Sequence, residues 1–151
     1  MKYPPSIAIV LAGGLGTRLR SVVLDRPKPM AEVAGRPFLA HLLEYWRRQG
    51  ITHFVISTGY LGNTISDYFG GSFQGARLTY VRESNPLGTG GGLVYSYSKL
   101  RPEQPFLVLN GDTFFSINLK TLHQRALEMR ADWCFSLFSS CDIKRYLPLY
   151  T

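Results

Sequence analysis

Ile7-Ala8-Ile9-Val10-Leu11 is an unbroken apolar run. A strand buried on both faces of a parallel sheet reads this way, with no polar alternation. From Phe38 the spacing changes: Phe38, Leu39, Leu42, Leu43 and Trp46 form one stripe at helical period, Pro37 stands at its start, and Gly50 is a natural stop. Phe54–Ser57 predicts a second short strand. Leu61–Phe69 predicts a helix burying Ile65, Tyr68 and Phe69, ended by Gly70-Gly71. Leu78–Arg82 predicts a third strand, Thr89–Tyr97 a helix entered through glycines, and Phe106–Leu109 a fourth, wholly apolar strand. Leu119, Leu122, Ala126 and Met129 mark another helix, and Trp133–Phe138 a fifth strand. Alternating strands and helices with short links predict an α/β fold with a parallel, doubly wound sheet and helices on both faces. No repeat, low-complexity stretch or internal linker interrupts the 151 residues, which suffice for one domain.

Composition narrows the partners. A hydrophobic fraction of 45% with nine Tyr, nine Phe and two Trp predicts a folded globule. The net charge of +7 favours anionic ligands. No interleaved basic and aromatic track runs along the chain, so nucleic acid is not expected as a partner. No stretch approaches the ~20 apolar residues of a membrane span. Pro4-Pro5 and the glycines after the first strand argue against a signal peptide. Cys134 and Cys141 lack C-x-x-C spacing and read as reduced thiols, so a soluble cytoplasmic protein is expected.

Ligands of such sheets bind at the carboxyl ends of the strands, and the unusual segments of this chain fall there. After strand one comes Leu11-Ala12-Gly13-Gly14-Leu15-Gly16-Thr17-Arg18-Leu19, then Arg20, Arg26 and Lys28 with the single acid Asp25 between them. Glycines admit close approach to backbone N–H groups, which cradle anions. Glycines and bases together point to a polyphosphate. No Gly-Lys-Ser/Thr ending is present, so this is no P-loop. Gly14-x-Gly16 begins a dinucleotide fingerprint, but Leu19 occupies the third glycine's place.

Taken whole, Leu-Ala-Gly-Gly-x-Gly-Thr-Arg-Leu followed by Pro27-Lys28-Pro29-Met30 resembles the signature of the sugar-1-phosphate nucleotidylyltransferases. The guanylyltransferases acting on heptose or mannose 1-phosphates are the most similar group within them. Pro86-Leu87-Gly88-Thr89 with the small residues after it resembles the family's base-recognition loop, and Asn110-Gly111-Asp112 its metal site. The resemblance implies a three-layer Rossmann-like fold with a mostly parallel sheet. It also implies transfer of a nucleotidyl group from a triphosphate to a sugar 1-phosphate, releasing pyrophosphate, for NDP-sugar precursors of cell-surface polysaccharide.

Site residues follow from the matched positions. The backbone of Leu11, Ala12, Gly13, Gly14, Gly16 and Thr17 is expected to hold the nucleotide. Arg18 is expected to clamp the departing phosphates, and Lys28, stiffened by its prolines, to meet the reacting phosphorus or the sugar phosphate. Gly88 and Thr89 are expected at the base. Glu83 is expected to read it: a carboxylate is acceptor-only, and guanine offers it two neighbouring N–H donors, whereas uracil offers one. The base therefore leans to guanine and the triphosphate to GTP. Asp112 is expected to hold Mg²⁺, which prefers few carboxylates together with waters and phosphate oxygens. Arg20 and Arg26 read as solvated or structural.

Two other readings stay open. One is an NAD(P)-binding protein with Glu32 as its ribose acid; the other is a non-catalytic nucleotide-binding module on the same fold. The resemblance runs from about Ile7 to Tyr146, and the family continues with further strands, much of the sugar pocket and a second metal acid. A shortened chain lacking the C-terminal sugar-binding part is therefore expected to bind GTP weakly, to self-associate through uncovered apolar surface and to transfer poorly.

Overall fold

The computed structural model describes residues 3–14 and 26–137. In chain order the elements are β1 (Ile7–Ala12), β2 (Glu32–Val33), β3 (Arg36–Pro37), α1 (Phe38–Arg48), β4 (His53–Thr58), α2 (Gly62–Phe69), β5 (Ser72–Phe73), β6 (Ala76–Arg82), α3 (Gly88–Leu100), β7 (Leu107–Asn110) and α4 (Leu119–Glu128). A 3-10 turn at Lys28–Met30 precedes β2. The chain divides into two compact units, Met1–Ser116 and Ile117–Thr151.

The first unit holds the sheet, ordered β5-β6-β4-β1-β7. β1 pairs in parallel with β4 and β7, and β4 in parallel with β6. The apolar run of β1 is thus central, and Ala8, Ile9 and Val10 are all fully buried. Ile9, Val55 and Val81 lie side by side, with Leu93 and Leu100 of α3 packed on them. Alternate residues Ala8, Val10, Phe54 and Ile56 are equally buried, so both faces of the sheet are covered. The doubly wound, mostly parallel reading holds.

α1 buries Leu39, Leu42, Leu43 and Trp46 as its stripe predicts, while Phe38 at its first turn is half-buried. Three expectations change. Tyr68 is 57% exposed: α2 buries Gly62, Ile65 and Phe69, and Tyr68 lies outward, edge-on to the Phe69 ring. Met129 lies beyond the end of α4 and is exposed. Residues 133–137 form no strand; Trp133, Phe135 and Leu137 are exposed, and no neighbouring strand pairs with this stretch among the described residues. Phe138 lies outside them.

Two small hairpins were not anticipated. β2 and β3 are joined by Ala34-Gly35, β5 and β6 by Gln74-Gly75, and all four linking residues have positive φ. Two left-handed residues in a row make the tight turn whose twist suits paired strands. The β2–β3 hairpin is tied to α1: Arg36 donates to His41 Nδ1 (3.0 Å) and to Glu44 Oε2 (2.9 Å). Arginine has no acceptor, so the His41 proton sits on Nε2, which donates to the Val33 carbonyl (2.8 Å). The Arg36 bond, with Arg48 nearby, holds the Glu44 carboxyl below its usual range.

In the second unit α4 starts at Asn118, whose side chain accepts from the Thr121 N–H (3.0 Å). This is an ordinary N-cap.

Candidate functional site

Register places the chemistry. Leu11 pairs with Ser57 and with Asn110, and Thr58 with Arg82. The carboxyl ends of β1, β4, β6 and β7 are therefore level, and four segments leave from them: Gly13-Gly14, Gly59, Glu83 and Gly111-Asp112. Two backbone bonds bind the segments together. Glu83 N–H donates to the Thr58 carbonyl (2.7 Å) and Gly111 N–H to the Leu11 carbonyl (2.8 Å).

Glu83 is held from several sides. Its Oε1 accepts from Ser57 Oγ (2.8 Å), and its Oε2 accepts from the Leu87 N–H (3.1 Å). Methyl groups added at Gly13 and Gly92 would lie 2.7 Å and 2.6 Å from Oε1. Real carbons do not approach that closely, so with the carboxylate in this position only glycine fits at either wall. Gly59 sits equally tightly on the Gly13 carbonyl. These contacts also account for two glycines inside the first turns of α3, where each one costs about 1 kcal/mol against alanine: Gly92 makes room for Glu83 and Gly91 for Leu87, while Gly90 has nothing within 4 Å of an added Cβ.

The second cluster joins residues 84 positions apart. Lys28 Nζ lies 3.6 Å from Asp112 Oδ2. Asp112 Oδ1 also accepts from Thr113 Oγ1 (3.2 Å). Pro29 and Met30 are buried, which anchors the turn carrying Lys28, and the carboxylate is 45% exposed. An ion pair this open contributes little stability. Its geometry brings an ammonium and a carboxylate to the strand ends, where a phosphate or a cation can displace either from the other.

Of the residues expected at the site, Gly13, Glu83, Lys28 and Asp112 are brought into these two clusters. Leu11 and Ala12 end β1, and Gly88 and Thr89 open α3. Gly14 is exposed, with nothing within 4 Å of an added Cβ, so close packing does not account for it. Gly16, Thr17 and Arg18 lie outside the described residues. Glu32 is on the β2–β3 hairpin and not at the end of a parallel strand, which removes the placement an NAD(P) ribose acid needs. Ser57 was missed. It sits within an apolar strand, Phe54–Ser57, and nothing local distinguishes it from a core serine.

A divalent metal is compatible with the donor set only in one form. No group of three His, Cys, Asp or Glu side chains able to hold a metal occurs among the described residues. Asp112 alone suits a hard cation that takes its remaining ligands from phosphate and water.

A mostly parallel α/β sheet with glycine-lined, acid- and base-bearing loops at its carboxyl edge places the chain in the doubly wound class, whose ligands bind at that edge. The chain belongs to the nucleotidyl transferase family, whose profile matches residues 7–145. It is 40% identical to the D-glycero-alpha-D-manno-heptose 1-phosphate guanylyltransferase of Aneurinibacillus thermoaerophilus, over 95% of this chain and 62% of that protein. Identity to the mannose-1-phosphate guanylyltransferase of Mycobacterium tuberculosis is 44%, over 92% of this chain and 39% of that one. Among solved structures, HddC from Yersinia pseudotuberculosis, complexed with GMP-PN, superposes with a TM-score of 0.71 at 36% identity, covering 82% of this chain and 55% of that one. A UDP-glucose pyrophosphorylase complexed with UDP-glucose gives 0.69 at 21% identity, a likeness of fold alone. The chain spans about 62% of the length of the first of these relatives and less of the others.

Proposed function

We propose that this chain forms the nucleotide side of a sugar-1-phosphate guanylyltransferase, which moves GMP from GTP to a heptose or mannose 1-phosphate and releases pyrophosphate. The observation that carries the reading is the convergence at one sheet edge of an acceptor-only carboxylate, Glu83, and a displaceable lysine–aspartate pair, Lys28–Asp112. The similarity to guanylyltransferases supports the choice of base and sugar.

In this reading the triphosphate lies along Leu11, Ala12, Gly13, Gly14, Gly16 and Thr17, with Arg18 on the departing phosphates and Gly88 and Thr89 beside the base. The sugar phosphate's oxygen attacks the α-phosphorus, and the bond to the pyrophosphate oxygen breaks. Lys28 leaves Asp112 to neutralise charge at the reacting phosphorus, where electrostatic stabilisation has most effect. Asp112, so released, would hold Mg²⁺, which would supply charge neutralisation to the phosphates. Little covalent work falls to side chains; alignment of the two anions carries the rate.

The partners proposed are GTP and a sugar 1-phosphate, with no nucleic acid and no membrane. No helix among the described residues is long and apolar enough to cross one. A cytoplasmic setting suits these soluble substrates.

Asp112→Asn tests the assignment. GTP binding measured with and without Mg²⁺ should show the magnesium-dependent gain fall about tenfold or more, with metal-free binding nearly kept. Equal losses in both would make Asp112 a structural turn residue. GTP binding with no pyrophosphate released on adding either sugar phosphate would favour a non-catalytic nucleotide module.

A further inference from the structure

We propose that Ser57 is a positioning residue that sets the guanine preference by orienting the Glu83 carboxylate; the inference rests on the reading of Glu83 as the base-contacting acid. Ser57 is fully buried near the carboxyl end of β4, and its hydroxyl donates to Glu83 Oε1 at 2.8 Å. The Leu87 N–H fixes Oε2 at 3.1 Å. Gly92 leaves the room the carboxylate takes: a methyl there would lie 2.6 Å from Oε1 and in ordinary contact, 3.5 Å, with Ser57 Oγ. One donor on each oxygen, with glycine walls on two sides, fixes the plane of the carboxylate.

The chemistry of that fixing is specific. Each carboxylate oxygen can accept about two hydrogen bonds. Ser57 and Leu87 use one on each oxygen and leave acceptor capacity on both. Guanine presents a matching pair of donors, its ring N1–H and its 2-amino group. Hypoxanthine, the base of ITP, lacks the 2-amino group, and uracil offers one donor in a different frame. A site built around a fixed acceptor pair rejects a ligand that leaves one acceptor unpaired. Without the serine, Oε1 is free to rotate off the pair, and the preference for the 2-amino group weakens while the phosphate contacts stay.

The GTP-to-ITP affinity ratio is the readout, because both ligands carry the same phosphates. The full 151-residue chain is titrated calorimetrically with GTP, ITP and UTP in the presence of Mg²⁺, together with Ser57→Ala, Ser57→Cys, Ser57→Thr and Glu83→Gln, each checked for thermal melting. We expect the parent chain to prefer GTP, Ser57→Ala and Ser57→Cys to lower the ratio about fivefold or more through its GTP arm, and Ser57→Thr, which keeps the hydroxyl, to retain it. Cysteine keeps the size with a much weaker donor and carries the test should alanine unfold the chain. Glu83→Gln should lose the ratio altogether, since its amide N–H₂ faces a guanine donor. Parent-like ratios in the alanine and cysteine variants, beside a lost ratio in Glu83→Gln, would overturn the role of Ser57 and leave the base reading standing. A parent chain without GTP preference, or an unchanged ratio in Glu83→Gln, would overturn the base reading and the inference with it.

Discussion

At the scale of single residues, the site depends on how little room surrounds one carboxylate. Gly92→Ala places a carbon 2.6 Å from Glu83 Oε1, closer than a carbon and an oxygen can stay. Either the carboxylate swings away or α3 shifts outward, and overpacking of this kind costs about 1–3 kcal/mol. Part of that is offset, because alanine is the better helix former by about 1 kcal/mol. The expected outcome is a small loss in melting temperature, with a fall in GTP affinity larger than the fall in UTP affinity. A variant that melts normally and keeps its GTP preference would show that the slot is not needed for the base. This scale was half legible in the sequence. Glu83, Lys28 and Asp112 were legible through the motifs they stand in or beside, Pro27-Lys28-Pro29, Pro86-Leu87-Gly88-Thr89 and Asn110-Gly111-Asp112, which resemble those of a known family. Ser57 was not, because its meaning is supplied by Glu83, 26 positions away. Gly92 reads as one of several loop glycines until its neighbour is known.

At the scale of elements, the apolar runs were the reliable signal. β1, β4, β6 and β7 begin or end within two residues of where the periodicity puts them. The hairpins escaped notice because each strand has only two residues on one side, too short for any period. Their Ala-Gly and Gln-Gly turns were the available cue. The stretch 133–137 alternates as a strand should, but alternation only states that a segment could pair, and pairing needs a neighbour. One element junction also titrates. His53 begins β4, with Ile7 on one side and Arg77 on the other, and its Nε2 meets Thr79 Oγ1 at 2.9 Å. Burial first, and then the Arg77 charge, hold its imidazole below the usual value. In the unfolded chain it protonates near pH ~6.5. As pH falls below that value the unfolded state binds the proton before the folded state does, so stability drops. The drop stops once pH passes the lower folded value, and above ~6.5 the residue contributes no pH dependence. Denaturant unfolding from neutral to mildly acid pH should therefore show a decline that His53→Gln makes shallower. An identical slope in the variant would assign the decline to other groups.

At the scale of the whole molecule, the parallel sheet was legible because its central strands are apolar throughout. Pattern did not show the division into two compact units, since no linker composition marks Ser116. The net charge of +7 acts over distances that the site's hydrogen bonds do not. It draws a polyphosphate toward the chain and raises the rate of encounter, and dissolved salt screens it over roughly 8 Å at 0.15 M ionic strength. Two consequences separate cleanly. Raising salt from about 0.05 M to about 0.5 M should slow GTP association by about tenfold, with dissociation much less affected. The ratio of GTP to ITP affinity should stay constant across the same range. Both ligands carry the same phosphate charge, and the 2-amino group is distinguished by contact with a partly buried carboxylate, where screening by mobile ions is weak. Stopped-flow association rates and equilibrium titrations at several salt concentrations measure the two quantities independently. A ratio that collapsed along with the association rate would mean that the base is selected through the general field of the chain, and not by the slot that Ser57, Gly13 and Gly92 build around Glu83.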